Sequence, residues 1–245
     1  MLSPLVMACV LIVGVMIGSI GIGGVLQVPV LRVLGDIPIH SVIPACMLAY
    51  LVPGILGALV YHRHGSLNWP SALRVCSGAV PGALIGALLL PSAPATILEL
   101  RVGLLILGSG VDALRKRPQS EDGQLGNTGY VAVGFFTGAV SALTGAGGPL
   151  TLVPLLVWYR VPVRIVVGLG QAIQIPISLM ATAGNLRTGM VDLELALLLT
   201  VILSVGVVIG GWVAHKLPEQ RLRRGVAVLL VIVGAGLLLR LMLPG

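Results

Sequence analysis

Charged side chains are scarce in this sequence of 245 residues, of which Asp, Glu, Lys and Arg together make up only 9%. Soluble domains typically carry about 25% charged residues. A chain that is 57% hydrophobic could not stay dispersed in water, so the composition excludes soluble enzymes, disordered tails and nucleic-acid-binding modules despite a net charge of +7. It predicts a polytopic membrane protein whose basic residues lie in short loops.

Several long stretches contain no charged residue at all. Membrane β-strands would instead alternate apolar and polar residues over segments of roughly ten, whereas a spanning helix needs about 20 apolar residues. Most of the charge-free stretches fit one helix each, so we predict an all-α fold. They cover residues 1–31, 41–61, 75–98, 123–159, 165–186, 195–214 and 225–239. Because no Lys or Arg precedes Arg32, the first stretch lacks the basic region of a signal peptide, and we expect it to be retained.

Residues that could support catalysis or hold a metal are also missing. Cys9, Cys46 and Cys76 lie in apolar stretches without paired spacing, and no His, Cys or carboxylate cluster is visible. An intramembrane enzyme could use only Cys46, Ser19 or Ser141 as a nucleophile, with no His or carboxylate beside them in the sequence. We therefore expect no cofactor, no metal and no enzymatic activity.

The middle of every predicted span lacks Asp, Glu, Lys and Arg. A charge at the membrane centre costs about 3 kcal/mol on insertion scales, so such residues persist where they have a function. Their absence argues against a carboxylate-based cation exchanger or proton pump. It favours an anion that is held by backbone dipoles and neutral side chains.

An internal repeat organises the chain. The Gly-Ile-Gly-Gly segment at 21–24 recurs as Gly-Ala-Gly-Gly at 145–148, an offset of 124 residues, and a Val-Pro step follows each segment, at 28–29 and 153–154. Further pairs at the same offset are Pro38 and Pro162, Gly65 and Gly189, Gly86 and Gly210, and Pro94 and Pro218. Between these pairs the offset changes by one residue, as loop insertions would produce. We predict two membrane repeats, at 1–116 and 127–245, joined by a cytoplasmic linker at 117–126.

Each repeat begins with an uncharged stretch of 31 residues, at 1–31 and 129–159. Such a stretch is long for one span and short for two spans with a turn. We predict that each forms a re-entrant hairpin, a broken helix that returns to the side it started from, followed by three spanning helices. An odd number of spans makes the second repeat inverted and both termini periplasmic. The basic residues then divide 11 to 4 between the two faces, as the positive-inside rule requires, against 8 to 7 if the first stretches crossed fully.

In this topology both glycine segments meet near the membrane centre, and each is followed by a short helix, at about 25–34 and 149–158, whose N-terminus faces the centre. A helix N-terminus offers about half a positive charge and free N–H groups, and glycine lets a ligand approach without a Cβ atom in the way. The alternative is that these glycines only allow close helix packing. Recurrence in both repeats favours an anion site. The candidate substrate-binding glycines are Gly21, Gly23, Gly24, Gly145, Gly147 and Gly148.

Neutral polar side chains lie near both glycine segments. Gln171 and Gln174 are one turn apart on the helix after the second hairpin, and we expect them to face the pocket because an unpaired amide in lipid is costly. For most of the remaining candidates, hydrogen bonding between helices is an equally good interpretation. These candidates are Ser19, Gln27, Ser141, Thr144 and Thr151.

The duplicated glycine and Val-Pro segments, together with the entries Gly-Ser-Leu-Asn at 65–68 and Gly-Met-Val-Asp at 189–192, resemble the TauE/SafE sulfite exporter family over essentially the whole chain. The resemblance implies export of sulfite or an organosulfonate across the bacterial inner membrane. Many relatives carry a Thr-Ser pair in the helix after each hairpin, but this chain has Ala45-Cys46 and Leu169-Gly170 there. Gln171 can supply the hydrogen-bonding capacity that is lost.

The predicted function is therefore that of a secondary transporter that exports a small sulfur-containing anion by alternating access. Two alternatives remain: an anion channel that uses the same dipole pocket, and a membrane anchor or assembly subunit that transports nothing. The expected partners are a small anionic substrate, the lipid bilayer and, as one option, a second copy of the chain. No nucleic acid is expected.

Overall fold

The computed structural model describes residues 3–21, 23–65, 67–94, 125–159, 163–187 and 191–214, with isolated positions between and after these ranges. Within these ranges every regular element is helical and none is a strand, which confirms the all-α class. The α-helices are α1 (Pro4–Ile20), α2 (Gly24–Pro29), α3 (Ile39–Ala49), α4 (Leu51–Arg63), α5 (Trp69–Leu89), α6 (Asn127–Thr144), α7 (Gly148–Trp158), α8 (Val163–Arg187) and α9 (Leu193–Ala214). A π-helical turn (Val30–Leu34) follows α2, and a 3₁₀ turn (Leu90–Ser92) follows α5.

Four helical segments of the described chain are long and apolar enough to cross a membrane. They are Ile39–Arg63, Trp69–Ser92, Ile165–Arg187 and Leu193–Val213. This agrees with a membrane protein. The third predicted span of each repeat falls almost entirely outside the described residues; these spans lie between Arg101 and Arg115 and over 225–239. Most of the linker 117–126 also lies outside them.

Helices α1 and α6 each end at a glycine, and after α1 the chain turns back. Gly21 has a φ of +79° and its N–H donates to the Ile17 carbonyl, while Gly145 has a φ of +69° and its N–H donates to the Ser141 carbonyl. Both are left-handed helix ends of the kind that glycine favours. A Cβ atom on Gly23 would fall 2.7 Å from the Val13 carbonyl oxygen, so the chain after Gly21 lies directly on α1.

The π-helical turn accounts for the second of two changes in the repeat offset, its return from 125 to 124 residues. The offset is 124 at Gly24 and Gly148, rises to 125 at the Val-Pro steps and returns to 124 at Pro38 and Pro162. The first repeat must therefore gain one residue after Pro29, which is where the turn Val30–Leu34 begins. A π-helical turn accommodates an extra residue within a helix. The prediction of a loop insertion was wrong at this point.

The helix that follows the first hairpin has a one-residue interruption at Tyr50. The stretch 41–61 predicts one helix, and the structure has one apolar helical segment, Ile39–Arg63, in which Tyr50 separates the end of α3 from the start of α4 while keeping right-handed helical dihedrals. Pro53 has no N–H to donate to the Ala49 carbonyl, which weakens the helix there. In α8, Pro176 releases the Ala172 carbonyl in the same way, and that oxygen accepts a hydrogen bond from the Cys76 thiol at 3.7 Å.

Glycines bring two helix pairs into backbone contact. A Cβ on Gly206 of α9 would fall 2.7 Å from the Cα of Gly14 in α1, and one on Gly138 of α6 would fall 2.5 Å from the Ala79 carbonyl oxygen in α5. At an offset of 124, α1 corresponds to α6 and α5 to α9, so the two contacts join corresponding partners. Both exploit the close approach that small residues allow between membrane helices.

The direction of α8 relative to its neighbours follows from its contacts. Near its start, Ala172 meets Cys76 of α5, and near its end Gly184 meets Ala87, so α5 and α8 run parallel. Gly54 of α4 lies against Gln174, whereas Gly57, one turn later, lies against Gln171. Residue numbers therefore rise in opposite directions along α4 and α8, and these two helices are antiparallel.

Candidate functional site

The two glycine segments meet in the interior of the molecule. A Cβ atom on Gly24 would fall 2.8 Å from the Ala146 carbonyl oxygen, and one on Gly145 would fall 2.8 Å from the Val28 side chain. Real Cβ atoms do not approach so closely, so the first tip packs on the backbone of the second tip, and the second tip packs on a side chain of α2. The structure thus brings together the segments that the sequence repeat marked as equivalent.

Tyr50 links the two tips and was missed in the sequence analysis. Its buried hydroxyl donates to the Gly24 carbonyl oxygen at 2.7 Å and lies 3.3 Å from the Gly145 carbonyl oxygen. A single O–H group cannot serve both carbonyls fully at once. The repeat itself carried a signal for this residue, because Tyr50 corresponds to Gln174 at the offset of 124.

Gln171 and Gln174 are both buried and both approach the glycine segments, as their spacing predicts. The Gln171 amide nitrogen donates to the Ile17 carbonyl at 3.1 Å, which leaves its amide oxygen without a partner. Neither polar atom of the Gln174 amide has a partner within the described chain, and its nitrogen lies 3.6 Å from where a Cβ on Gly147 would fall. A buried amide without partners is costly and is a candidate for hydrogen bonding to a ligand.

Gln27 and Thr151 form a second equivalent pair, since they are 124 residues apart. Gln27 lies on α2 and Thr151 on α7, the short helices that follow the two tips. Both side chains are buried, and their polar atoms have no partner among the described residues. Each repeat therefore contributes one unsatisfied polar group just after its glycine segment.

The three remaining hydroxyl candidates are already hydrogen-bonded. Ser19 donates to the Met16 carbonyl at 3.3 Å and Thr144 to the Val140 carbonyl at 2.8 Å, so each is satisfied by its own helix. Ser141 instead donates to the Gly147 carbonyl at 3.0 Å and fixes the second tip. Sequence alone could not separate these cases, because Ser and Thr in helices often bond to a carbonyl one turn earlier.

The six glycines differ in their surroundings. A Cβ on Gly23 or Gly148 would collide with α1 or with Ile173 of α8, so the packing interpretation accounts for these two. Gly21 and Gly147 have positive φ, and the nearest atoms to a Cβ there would be 3.4 and 3.6 Å away. A Cβ on either of these glycines would therefore make ordinary van der Waals contacts, including contacts with the amides of Gln171 and Gln174.

The polar groups buried in the described chain are all neutral. They are Ser19, Gln27, Ser71, Thr137, Ser141, Thr144, Thr151, Gln171, Gln174, Ser178, Thr182 and Asn185. No group of three or more His, Cys, Asp or Glu residues is present among the described residues. The chemistry available at the hairpin tips is therefore hydrogen bonding from amides, hydroxyls and backbone.

An open cavity of about 360 Å³ lies beside the second hairpin. It is lined by Arg101, Leu104, Val140, Leu143 and Thr144. Thr144 immediately precedes the second tip, and Arg101 supplies a positive charge to a lining that is otherwise uncharged. Such a surface suits an anion that approaches the tip.

Comparison with known proteins agrees with the resemblance seen in the sequence. A family model described as "Sulfite exporter TauE/SafE" matches residues 6–237. A protein of Bacillus subtilis strain 168, named probable membrane transporter protein YdhB, is 27% identical over 244 residues, which cover 96% of this chain and 99% of that protein. No solved structure matches the chain.

Proposed function

Because this chain belongs to the TauE/SafE sulfite exporter family, we propose that it is a secondary transporter that exports a small sulfur-containing anion across the bacterial inner membrane. Sulfite and organosulfonates are the proposed substrates. The similarity to a probable membrane transporter supports transport rather than enzymatic activity. The proposed binding site lies between the two hairpin tips and includes Gln27, Thr151, Gln171 and Gln174.

The observation that carries this proposal is the buried Gln174 amide, which has no partner in the described chain and lies beside Gly147. A lost hydrogen bond at a buried polar group costs about 1–3 kcal/mol, so such a group is retained where a ligand satisfies it. The oxygens of sulfite or a sulfonate can accept from amide N–H and hydroxyl groups. Neutral donors are sufficient to bind the anion because their hydrogen bonds replace those that it gives up when it leaves water.

Two inverted repeats are the architecture we propose for this transporter, and the directions of its helices support it. The segment α3–α4 and α8 correspond at an offset of 124 residues, yet α4 and α8 are antiparallel. Two repeats of the same orientation would make these equivalent helices parallel. The parallel pair α5 and α8 also agrees with inversion. In repeats of the same orientation, α8 would run in the direction of its equivalent α4, and therefore opposite to α5.

Transport by alternating access requires the two repeats to move against each other around the site. The helix after each hairpin lacks one backbone hydrogen bond near the site, because of Pro53 beside Tyr50 and because of Pro176. Helices kink at prolines, and these are the positions at which we propose that each helix bends during transport. With a negative interior, moving an anion outward gains about 2.3 kcal/mol per charge per 100 mV, so membrane potential alone can drive export.

Flux into liposomes that contain the purified protein tests the proposal. The panel is sulfite, sulfoacetate, taurine, sulfate and chloride, measured for the wild type, for Gln174→Leu and for Thr200→Val as control. Thr200 is suitable because its hydroxyl is satisfied by the Ala196 carbonyl, away from the site. We expect saturable flux and counterflow of a sulfur oxyanion, lost in Gln174→Leu and kept in Thr200→Val.

Three outcomes would contradict the proposal. Chloride flux that does not saturate and shows no counterflow would indicate a channel. An absence of flux for every anion would favour an anchor or assembly subunit. Normal sulfite flux in Gln174→Leu would remove the hairpin tips as the binding site.

A further inference from the structure

We propose that Ser178 and Thr182 of α8 line the second half of the transport route, between the central site and the end of α8 at Arg187. This inference rests on the proposed function and adds to it a path by which the anion leaves the hairpin tips. In the inverted topology, the Arg187 end of α8 faces the periplasm.

A file of polar side chains runs along one face of α8. Starting from Gln174, the positions 178, 182 and 185 follow at steps of four, four and three residues, which keeps them on one side of a helix. Ser178, Thr182 and Asn185 are all buried. The file therefore begins at the proposed anion site and continues for about three turns toward the helix end.

The hydroxyl groups of Ser178 and Thr182 have no hydrogen-bond partner within the described chain. Thr144 and Thr200 do find one and donate to the carbonyl one turn earlier at 2.8 and 2.7 Å, whereas Thr137 and Ser204 on other helices also lack a partner within the described chain. A hydroxyl in a membrane helix normally takes that bond or one to a neighbouring helix. Ser178 and Thr182 differ in their position, because they continue the face of α8 that begins at the unpartnered Gln174, where a ligand, water or anion, can pass along them.

A neighbouring face of the same helix segment shows the contrast. Leu179, one residue after Ser178, is 46% exposed and apolar, as expected for a side chain in contact with lipid. The unsatisfied hydroxyls therefore belong to the protein-facing side. They are covered in this structure, so the route along them is closed.

Pro176 lies between Gln174 and Ser178, at the start of the proposed route. It removes one backbone hydrogen bond from α8, and the released Ala172 carbonyl is taken by the Cys76 thiol. Residues 177–187 can therefore tilt with little loss of helical hydrogen bonding. Such a tilt would open the polar face toward the Arg187 end while Gln174 stays at the site.

Cysteine accessibility tests the route without depending on transport. Ser178→Cys, Thr182→Cys and Leu179→Cys are made in a background that lacks Cys9, Cys46 and Cys76. The probe is 2-sulfonatoethyl methanethiosulfonate, a membrane-impermeant sulfonate, applied from the Arg187 side. We expect labelling at 178 and 182 but not at 179, and slower labelling when sulfite is present.

The conservative variants Ser178→Ala and Thr182→Val provide the second measurement. We expect each to lower the rate of sulfite flux about five- to tenfold, the loss of one hydrogen bond, with an unchanged melting temperature. Ser77→Ala is the matched control, because its exposed hydroxyl donates to the Arg74 carbonyl.

Failure of the route and failure of the function have different signatures. If the wild type moves sulfite while cysteines at 178 and 182 stay unlabelled, or label no faster than at 179, the route is overturned and the transporter stands. If both are labelled in a protein that moves no sulfur anion, the aqueous route is supported and the proposed function falls.

Discussion

The hydroxyl of Tyr50 donates a 2.7 Å hydrogen bond to the carbonyl oxygen of Gly24, and this bond ties the break between α3 and α4 to the tip of the first hairpin. The Tyr50 hydroxyl oxygen also lies 3.3 Å from the carbonyl oxygen of Gly145 in the second tip. One side chain thus spans both halves of the proposed site. Because it has one proton to donate, its preferred partner can change when the two tips move apart.

Tyr50→Phe removes the donor that ties the break between α3 and α4 to the first tip. We expect a loss of about 0.5–1.5 kcal/mol in stability, the net contribution of one hydrogen bond, seen as a lower melting temperature in detergent, together with slower sulfite flux. Tyr159→Phe is the control, because Tyr159 is exposed at the end of α7. Equal melting temperatures for Tyr50→Phe and the wild type would show that the bond contributes nothing.

Substitutions at Gly147 and Gly65 distinguish the effect of backbone strain from the effect of a blocked binding site. Both have positive φ, +74° and +69°, so alanine at either position should cost about 1–2 kcal/mol. A Cβ on Gly65 meets nothing within 4 Å, whereas one on Gly147 enters the space beside Gln174. We expect similar drops in melting temperature for Gly65→Ala and Gly147→Ala, with flux reduced only in Gly147→Ala. Gly147→Leu should block flux and still insert into the membrane.

That comparison also has a clear negative outcome. If Gly147→Leu transports sulfite at the wild-type rate, no substrate passes beside this glycine. If Gly65→Ala loses as much flux as Gly147→Ala, the effect is general strain and carries no information about the site.

Gln27→Leu should improve stability while it damages function. The Gln27 amide is buried and unpartnered in the described chain, so replacing it with an apolar side chain removes a desolvation cost of about 1–3 kcal/mol. We expect an equal or higher melting temperature and a tenfold or greater loss of sulfite flux, roughly what one lost anion hydrogen bond produces. Thr151→Val should behave in the same way because Thr151 is its equivalent. A lower melting temperature with unchanged flux would mean that both groups have structural roles.

The sequence predicted the features that depend on periodicity and on glycine. The two glycine segments, the return of the first hairpin onto α1 and the common face of Gln171 and Gln174 all follow from spacing and from the conformations that glycine allows. Their burial and mutual approach agree with those predictions. That these residues bind an anion stays a prediction.

Other features depend on three-dimensional contacts that spacing does not reveal. Whether a hydroxyl is free depends on its rotamer, so Ser19 and Thr144 could not be told from Thr151 in advance. Tyr50 was missed because a tyrosine in an apolar stretch predicts packing unless its partner carbonyls are known. The π-helical turn after Pro29 adds one residue to the first repeat, and in the sequence this cannot be told from one residue inserted in a loop.

The equivalent turns at Gly65 and Gly189 test the inverted architecture directly. Both glycines are exposed, have φ near +69° and meet nothing within 4 Å, so cysteine at either position should be reachable by a reagent, without a steric clash and at the same backbone cost of about 1–2 kcal/mol as alanine. In the cysteine-free background, a membrane-impermeant thiol reagent should label Gly65→Cys only from the cytoplasmic side and Gly189→Cys only from the periplasmic side. Repeats of the same orientation would expose both cysteines on one face. That result would move the hairpin tips out of the membrane centre and remove the geometric basis for alternating access, whereas labelling on opposite faces would place the two tips on opposite approaches to one site.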